Sequence, residues 1–153
     1  GGCMIALLQR VTGASVVVDD ATVARIDSGL LVLVGVERGD TGDQAKRLAE
    51  RLLGYRVFPD EEGRMNLGVR DIGGALLLVP QFTLAADTAK GMRPGFGSAA
   101  DPDTGSARFE ELVGHARAGG VPVEPGVFGT HMQVQLVNDG PVTFHLRVPP
   151  SAN

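Results

Sequence analysis

The stretch LLVLVGVERGDTGDQAKRLAERLLG, residues 30–54, carries a strand and a helix back to back and decides the fold class. Leu30 to Val36 is almost entirely aliphatic, the mark of a strand buried on both faces. Thr41 and Gln44 then stand at capping-box spacing, each side chain able to reach the other residue's backbone N–H. Ala45, Leu48, Ala49, Leu52 and Leu53 follow the i, i+3, i+4, i+7, i+8 stripe of an amphipathic helix. Gly54 suits the left-handed position that ends such a helix.

Working outward toward the N-terminus, Met4 to Val18 reads as two short strands divided near Gly13, and Asp19-Asp20 as a turn. Thr22 to Ile26 is a further strand, closed by Asp27-Ser28-Gly29. Toward the C-terminus, Tyr55 to Phe58 reads as a strand stopped by Pro59, so that Leu30 to Phe58 forms a candidate crossover. Arg64 to Val69 is a short polar segment, and Ala75 to Val79 is a second all-aliphatic strand that runs into Pro80-Gln81-Phe82-Thr83-Leu84. Asp87 to Gly105 reads as a long surface loop, of a length often tied to function. A second helix is expected over about Ser106 to Ala118, with Phe109, Leu112, Val113 and Ala116 on one face. Val121 to Val127 is extended, and Met132–Val137 and Val142–Val148 are two strands broken by Asn138-Asp139-Gly140-Pro141. The sum is a single α/β domain: mixed, largely antiparallel sheets with two main helices on the outer face.

The 153 residues suit one domain with a self-sufficient core. Apolar residues at 43% and charged residues at 21% describe an ordinary globular chain. A formal charge of -4 argues against a broad basic surface that coats nucleic acid, though not against a local basic patch. The single Cys3 rules out a disulfide framework within one chain. Gly1-Gly2-Cys3 ahead of Met4 reads as a cloning remnant, Met4 as the native start, and 149–153 as a tail. No apolar run approaches the roughly 20 residues that span a bilayer, so a cytoplasmic location with no membrane partner is expected.

Familiar catalytic sets are missing: there is no G-x-S-x-G elbow and no P-loop. His115 lies on the second helix, while His131 and His145 fall on what read as adjacent strands; none has a second ligand at metal spacing, and no metal is expected. Gln81 and Thr83, at i and i+2, face the same way if the segment is extended. Taken alone, that segment fits a strand end with satisfied polar groups, and Asn138-Asp139-Gly140-Pro141 fits a tight hairpin turn. Lys90 and Arg93 stand out by location, in the loop after Leu84, where they could meet phosphate.

Together these segments resemble one family. Met4-Ile5-Ala6-Leu7-Leu8-Gln9-Arg10-Val11, Leu53 to Phe58, Met65-Asn66-Leu67, Gln81 to Asp87, Gly91-Met92-Arg93-Pro94 and Leu136 to Thr143 resemble the D-aminoacyl-tRNA deacylases, and the likeness runs from Met4 to Val148. The resemblance implies a homodimer with two active sites at the subunit interface. Gly140-Pro141 would be a cis dipeptide inserted into the partner's pocket, with Arg10 holding it in place. Its carbonyl oxygens would crowd the place of an L side chain, while a D-aminoacyl group or glycine still fits.

The implied reaction is hydrolysis of the ester between a D-amino acid and the tRNA 3′ end, with glycine mischarged on alanine tRNA as a further substrate. No cofactor is implied, and no DNA partner. Gln81, Phe82 and Thr83 would form the catalytic segment, with the N–H of Phe82 or a neighbour as oxyanion donor and Thr83 a pocket residue. Pro80, Met132, Asn138, Gly140 and Pro141 would bind substrate, and Lys90 and Arg93 would touch tRNA. Pro80 departs from the family's usual serine and supplies neither hydroxyl nor N–H. That departure keeps two other readings open: an editor of L-alanyl-tRNA(Thr) with a trans Gly-Pro bond, and an inactive tRNA-binding dimer.

Overall fold

The computed structural model describes residues 2–151. Among them are eight strands and two α-helices: β1 (Met4–Val18), β2 (Ala21–Ile26), β3 (Gly29–Gly35), α1 (Gly42–Gly54), β4 (Phe58–Pro59), β5 (Met65–Leu67), β6 (Ala75–Pro80), α2 (Pro102–Ala118), β7 (Val123–Pro125) and β8 (Gln133–Val148). The main sheet runs β2-β1-β3-β6-β7, with β8 on the other side of β1. All pairs that involve β1 are antiparallel, whereas β3–β6 and β6–β7 are parallel. The architecture is therefore the mixed, mostly antiparallel single domain that the pattern predicts.

β1 is one bent strand rather than two. Its first half pairs with β3 up to Val11↔Gly29, and its second half pairs with β2 from Ala14↔Ile26. Gly13 sits at that change of neighbour, where the missing side chain permits a sharp bend. The bend curls the sheet into a barrel-like form with two cores. Leu8, Leu30, Val32, Leu76 and Leu78 face the helices, while Val11, Val16, Leu31, Leu77 and Val79 fill the opposite concave side. The aliphatic runs at 30–36 and 75–79 are aliphatic because both of their faces are covered.

β8 is likewise one strand where two were expected. Residues on both sides of Asn138-Asp139-Gly140-Pro141 pair with the same strand, from Val17↔Gln133 to Met4↔Val148. Asp139 to Val142, between the paired Asn138 and Thr143, are thus an excursion within a continuous strand and not a hairpin, since a hairpin would reverse the chain. The register shift between Gln9 and Val11 marks where that excursion leaves the ladder, and a second shift between Val11 and Gly13 is an extra residue on β1. His131 and His145 consequently lie just before and within one strand, not on adjacent strands.

The helix stripe is placed as read: Ala45, Leu48, Ala49, Leu52 and Leu53 are buried on α1, and Phe109, Leu112, Val113 and Ala116 on α2. Burying each large aliphatic or aromatic side chain stabilises by about 1.5–3 kcal/mol. The capping box at Thr41 and Gln44 is formed. Gln44 is itself buried, donating to Val148 O at 2.9 Å and to Asp40 Oδ1 at 3.2 Å. Burial pushes the Asp40 carboxyl up to about 6, against the opposing pull of its bonds from the Glu37 N–H and the Gln44 side chain. The Asp101 carboxylate is held below its ordinary range by hydrogen bonds from Thr104.

Three boundaries differ from expectation. Gly54 is the last helical residue, and the chain leaves α1 extended at Tyr55 instead of turning left-handed. This exit lets the Tyr55 ring pack edge-on against Phe144. α2 begins at Pro102, not Ser106, because Asp101 caps the N–H of Thr104 and proline fits the first turn. The crossover from β3 ends in β6, whereas Phe58-Pro59 pairs with Met65–Leu67 in a separate ribbon. Gly2 and Cys3, read as a remnant, bond to Arg38 O and Glu37 Oε1. Of the expected tail, Pro149 to Ser151 carry no regular structure, and 152–153 lie outside the described residues, as does residue 1.

Candidate active site

Two groups of residues gather the chemistry, at opposite ends of the sheet. The first follows β6. Pro80 ends that strand, buried, opposite Val34. Gln81 stays attached to the sheet through its N–H to Val34 O at 2.8 Å. From Phe82 to Ala85 the chain makes a 3₁₀ turn, closed by the N–H of Leu84 on Gln81 O at 3.1 Å. The segment is therefore not extended as expected. Gln81 and Thr83 nevertheless meet, with Gln81 Nε2 donating to Thr83 Oγ1 at 3.0 Å.

Phe82 is 61% exposed, unusual for a phenylalanine, and its ring leans on Phe96 at 5.2 Å between centroids. Phe96 belongs to the long loop. That loop is closed on itself by Asp87 and Gly95, which exchange backbone bonds at 2.7 and 2.9 Å. Lys90 and Arg93 lie within this closed section and are exposed. Met132 joins the Pro80 end through Gly126. A Cβ on Gly126 would lie 3.1 Å from Met132 Sδ and 3.4 Å from Pro80 Cδ, so the glycine brings these two side chains against one short backbone segment.

The second group surrounds the β8 excursion. Arg10, on β1, donates from Nε to Asp139 O at 2.9 Å and from the guanidinium to Val57 O at 2.7 Å. Asn138 closes the base of the excursion: Val142 N donates to its Oδ1 at 2.7 Å, and its Nδ2 donates to Thr143 Oγ1 at 2.9 Å. Both polar ends of Asn138 are thus engaged within the loop. Gly140 has φ +143, and a Cβ there would sit 2.6 Å from Val142 Cγ2 and 2.9 Å from Val142 N. The Gly140–Pro141 peptide is cis, and both residues are exposed.

The structure brings Pro80, Gln81, Phe82, Thr83 and Met132 together, and separately Arg10, Asn138, Gly140 and Pro141. It does not bring the two groups together within one chain. Pro80 is level with Val34 on β3, whereas Asn138 is level with Val11 and Gly29. Five residues of β3 separate those levels, about 17 Å at ~3.3 Å per residue. Val57 lies in the Leu53–Phe58 stretch that carries the resemblance, but its role, accepting from the Arg10 guanidinium that also holds Asp139, shows only in the tertiary structure.

Comparison with known proteins gives the class, an ester hydrolase acting on charged tRNA. The family model described as D-Tyr-tRNA(Tyr) deacylase matches residues 7–147, and the chain belongs to that family. It is 64% identical over 149 residues to the D-aminoacyl-tRNA deacylase of Alkalilimnicola ehrlichii, covering 97% of this chain and 99% of the relative. It is also 64% identical to that of Methylococcus capsulatus, over 96% of both chains. Among solved structures, the c-Myc DNA Unwinding Element Binding Protein superposes with a TM-score of 0.90 at 35% identity, covering 95% of this chain and 99% of that one. A probable eukaryotic D-amino acid tRNA deacylase superposes at 0.82 with 18% identity, over 95% of this chain and 100% of that one, a likeness of fold.

Proposed function

We propose that the chain hydrolyses the ester joining a D-amino acid, or glycine mischarged on alanine tRNA, to the tRNA 3′ end. The site is completed by a second copy of the chain. One observation carries this reading: the exposed Gly140-Pro141 loop is clamped by Arg10 and Asn138, yet lies about 17 Å in strand length from the Gln81–Thr83 segment of its own chain. A clamped, outward loop of this kind suits insertion into a partner's pocket, so the homodimer supplies the selector. Its backbone carbonyls occupy the volume an L side chain needs, whatever that side chain is. An aminoacyl ester is already activated, so a positioned water and an oxyanion donor suffice. On this reading the N–H of Phe82 or a neighbour is that donor, and Thr83, bonded to Gln81, lines the pocket. Asn138 acts through the loop it closes. Lys90 and Arg93 meet the RNA, and the enzyme works in the cytoplasm.

The test is turnover of D-Tyr-tRNA and L-Tyr-tRNA side by side. Release of D-Tyr with L-Tyr-tRNA spared is the expected outcome; equal release of both, or of neither, sinks the reading. Pro80, buried at the motif where the resemblance leads one to expect serine, is the one feature on the side of a second reading, an editor of L-alanyl-tRNA(Thr); that reading expects a trans Gly140-Pro141 bond, whereas the bond is cis. Faster turnover of L-alanyl-tRNA(Thr) than of D-Tyr-tRNA selects it, and tRNA binding without any turnover selects the inactive dimer.

A further inference from the structure

Asp139, Gly140 and Pro141 are exposed, but Val142, the last residue of the excursion, is 6% exposed and belongs to the larger core together with Leu146 and Val148 of the same strand. Its backbone is held at both polar groups by one side chain. The Val142 N–H donates to Asn138 Oδ1 at 2.7 Å, and the Val142 carbonyl accepts from Asn138 Nδ2 at 3.4 Å. With the backbone fixed and the side chain β-branched, few rotamers are open to it. One of its methyls stands against the excursion. Cγ2 lies 2.6 Å from where a Cβ on Gly140 would be, nearer than any other atom, so it packs against the bare Cα of Gly140. Nη2 of Arg10 follows at 3.3 Å from the same point.

We infer that Val142 is a positioning residue for chiral selection: its buried side chain is the floor on which Gly140 rests, and it sets the direction of the Gly140 carbonyl. The inference rests on the reading of this loop as the selector. Glycine has no Cβ to restrict its own φ and ψ, so the direction of its peptide groups has to come from what packs against it. The polar ties hold its neighbours. Arg10 takes the carbonyl of Asp139, one residue before, and Asn138 takes the backbone of Val142, two residues after. Between those ties the Val142 methyl bears on Gly140 directly, and it is anchored in a close-packed core that yields little. Selection by exclusion depends on that firmness, because a carbonyl that shifts opens the volume it has to fill. Val142 itself meets no substrate in this arrangement and acts through Gly140.

Val142→Ala removes the methyl. It is expected to lower the ratio of kcat/KM for D-Tyr-tRNA and L-Tyr-tRNA about tenfold, chiefly through faster release of L-Tyr. The NMR order parameter of the Gly140 amide should fall with it, from about 0.85 toward about 0.6. Val142→Ile, which keeps both γ carbons, should retain the ratio and the order parameter. Leu146→Ala is the control for lost stability, since Leu146 is buried in the same core and on the same face of β8. It should lower the urea midpoint at least as far as Val142→Ala and leave both readouts unmoved. Should the alanine variant fail to fold, Val142→Leu takes its place: it keeps the volume, gives up the branched β-carbon, and is expected to lower the ratio in the same direction. An unchanged ratio in the variant that folds, or an equal fall in Leu146→Ala, overturns the inference. If the unaltered protein makes no distinction between D-Tyr-tRNA and L-Tyr-tRNA, the selector reading falls by itself. The order parameter of Gly140 then decides alone whether Val142 holds it.

Discussion

Gly140 shows how one residue sets the shape of the excursion. At φ +143 an L side chain is strained, and its Cβ would press on Val142 and approach the Arg10 guanidinium at 3.3 Å. Strain of this type costs about 1–3 kcal/mol and is relieved only by moving the loop. Gly140→Ala is therefore expected to reduce the D/L preference, measured as the ratio of kcat/KM for D-Tyr-tRNA and L-Tyr-tRNA, by about tenfold or more. An unchanged ratio removes the proposed selector role. Arg10 and Asn138 belong to the same device by different routes. Arg10 ties Asp139 to Val57 across the fold, whereas Asn138 ties the excursion's two ends to each other.

At the scale of elements, the N-terminus of α1 joins the helix to the sheet through polar groups. Gln44 bonds at once to Thr41 N, Asp40 and the carbonyl of Val148, so cap, preceding loop and last strand share one buried amide. Asp40 beside it is protonated up to about pH 6 by its burial. Its folded pKa is raised above the unfolded value of 3.8, so the native state binds the proton more tightly. The resulting stabilisation is present in full below about pH 3.8 and is lost as pH rises through about 6. Asp40→Asn is expected to flatten that segment of the stability profile in urea unfolding between pH 4 and 7. A profile as steep as that of the unaltered protein assigns the slope to other groups. The start of α2 carries a related lesson. Asp101-Pro102 is a cap followed by a first-turn proline, legible in the sequence as such, but surrounding glycines and prolines suggested a longer loop.

For the whole molecule, the separation of the two motif groups makes a prediction about assembly. If each site takes its Gln81–Thr83 segment from one copy and its Gly140-Pro141 loop from the other, defects in the two segments complement. Gly140→Ala chains and chains altered at Gln81 and Thr83 are each expected to discriminate or react poorly alone. Unfolding and refolding them together should return one intact site in each mixed dimer, about half of all dimers by random pairing. Recovered chiral turnover in the mixture, scaled to that fraction, checks the expectation; a mixture no better than the mean of its parts counts against shared sites.

The sequence by itself determined the elements whose signals are local. The capping box, the helix stripes and the two aliphatic strands are written in neighbouring residues, because hydrophobic periodicity and end-capping act over a turn or two. It also carried the motif residues themselves, and through them the family. Only the tertiary structure decided how those motifs lie. β1 and β8 became single bent strands because pairing with a common neighbour joins halves that look separate when read alone. A turn signal such as Asn-Asp-Gly-Pro states that the chain departs from its ladder, not where it goes next. Whether it reverses or resumes depends on the strand alongside, and here β1 continues past it. The distance between Gly140 and Gln81 follows from register, a non-local property that no window of sequence contains.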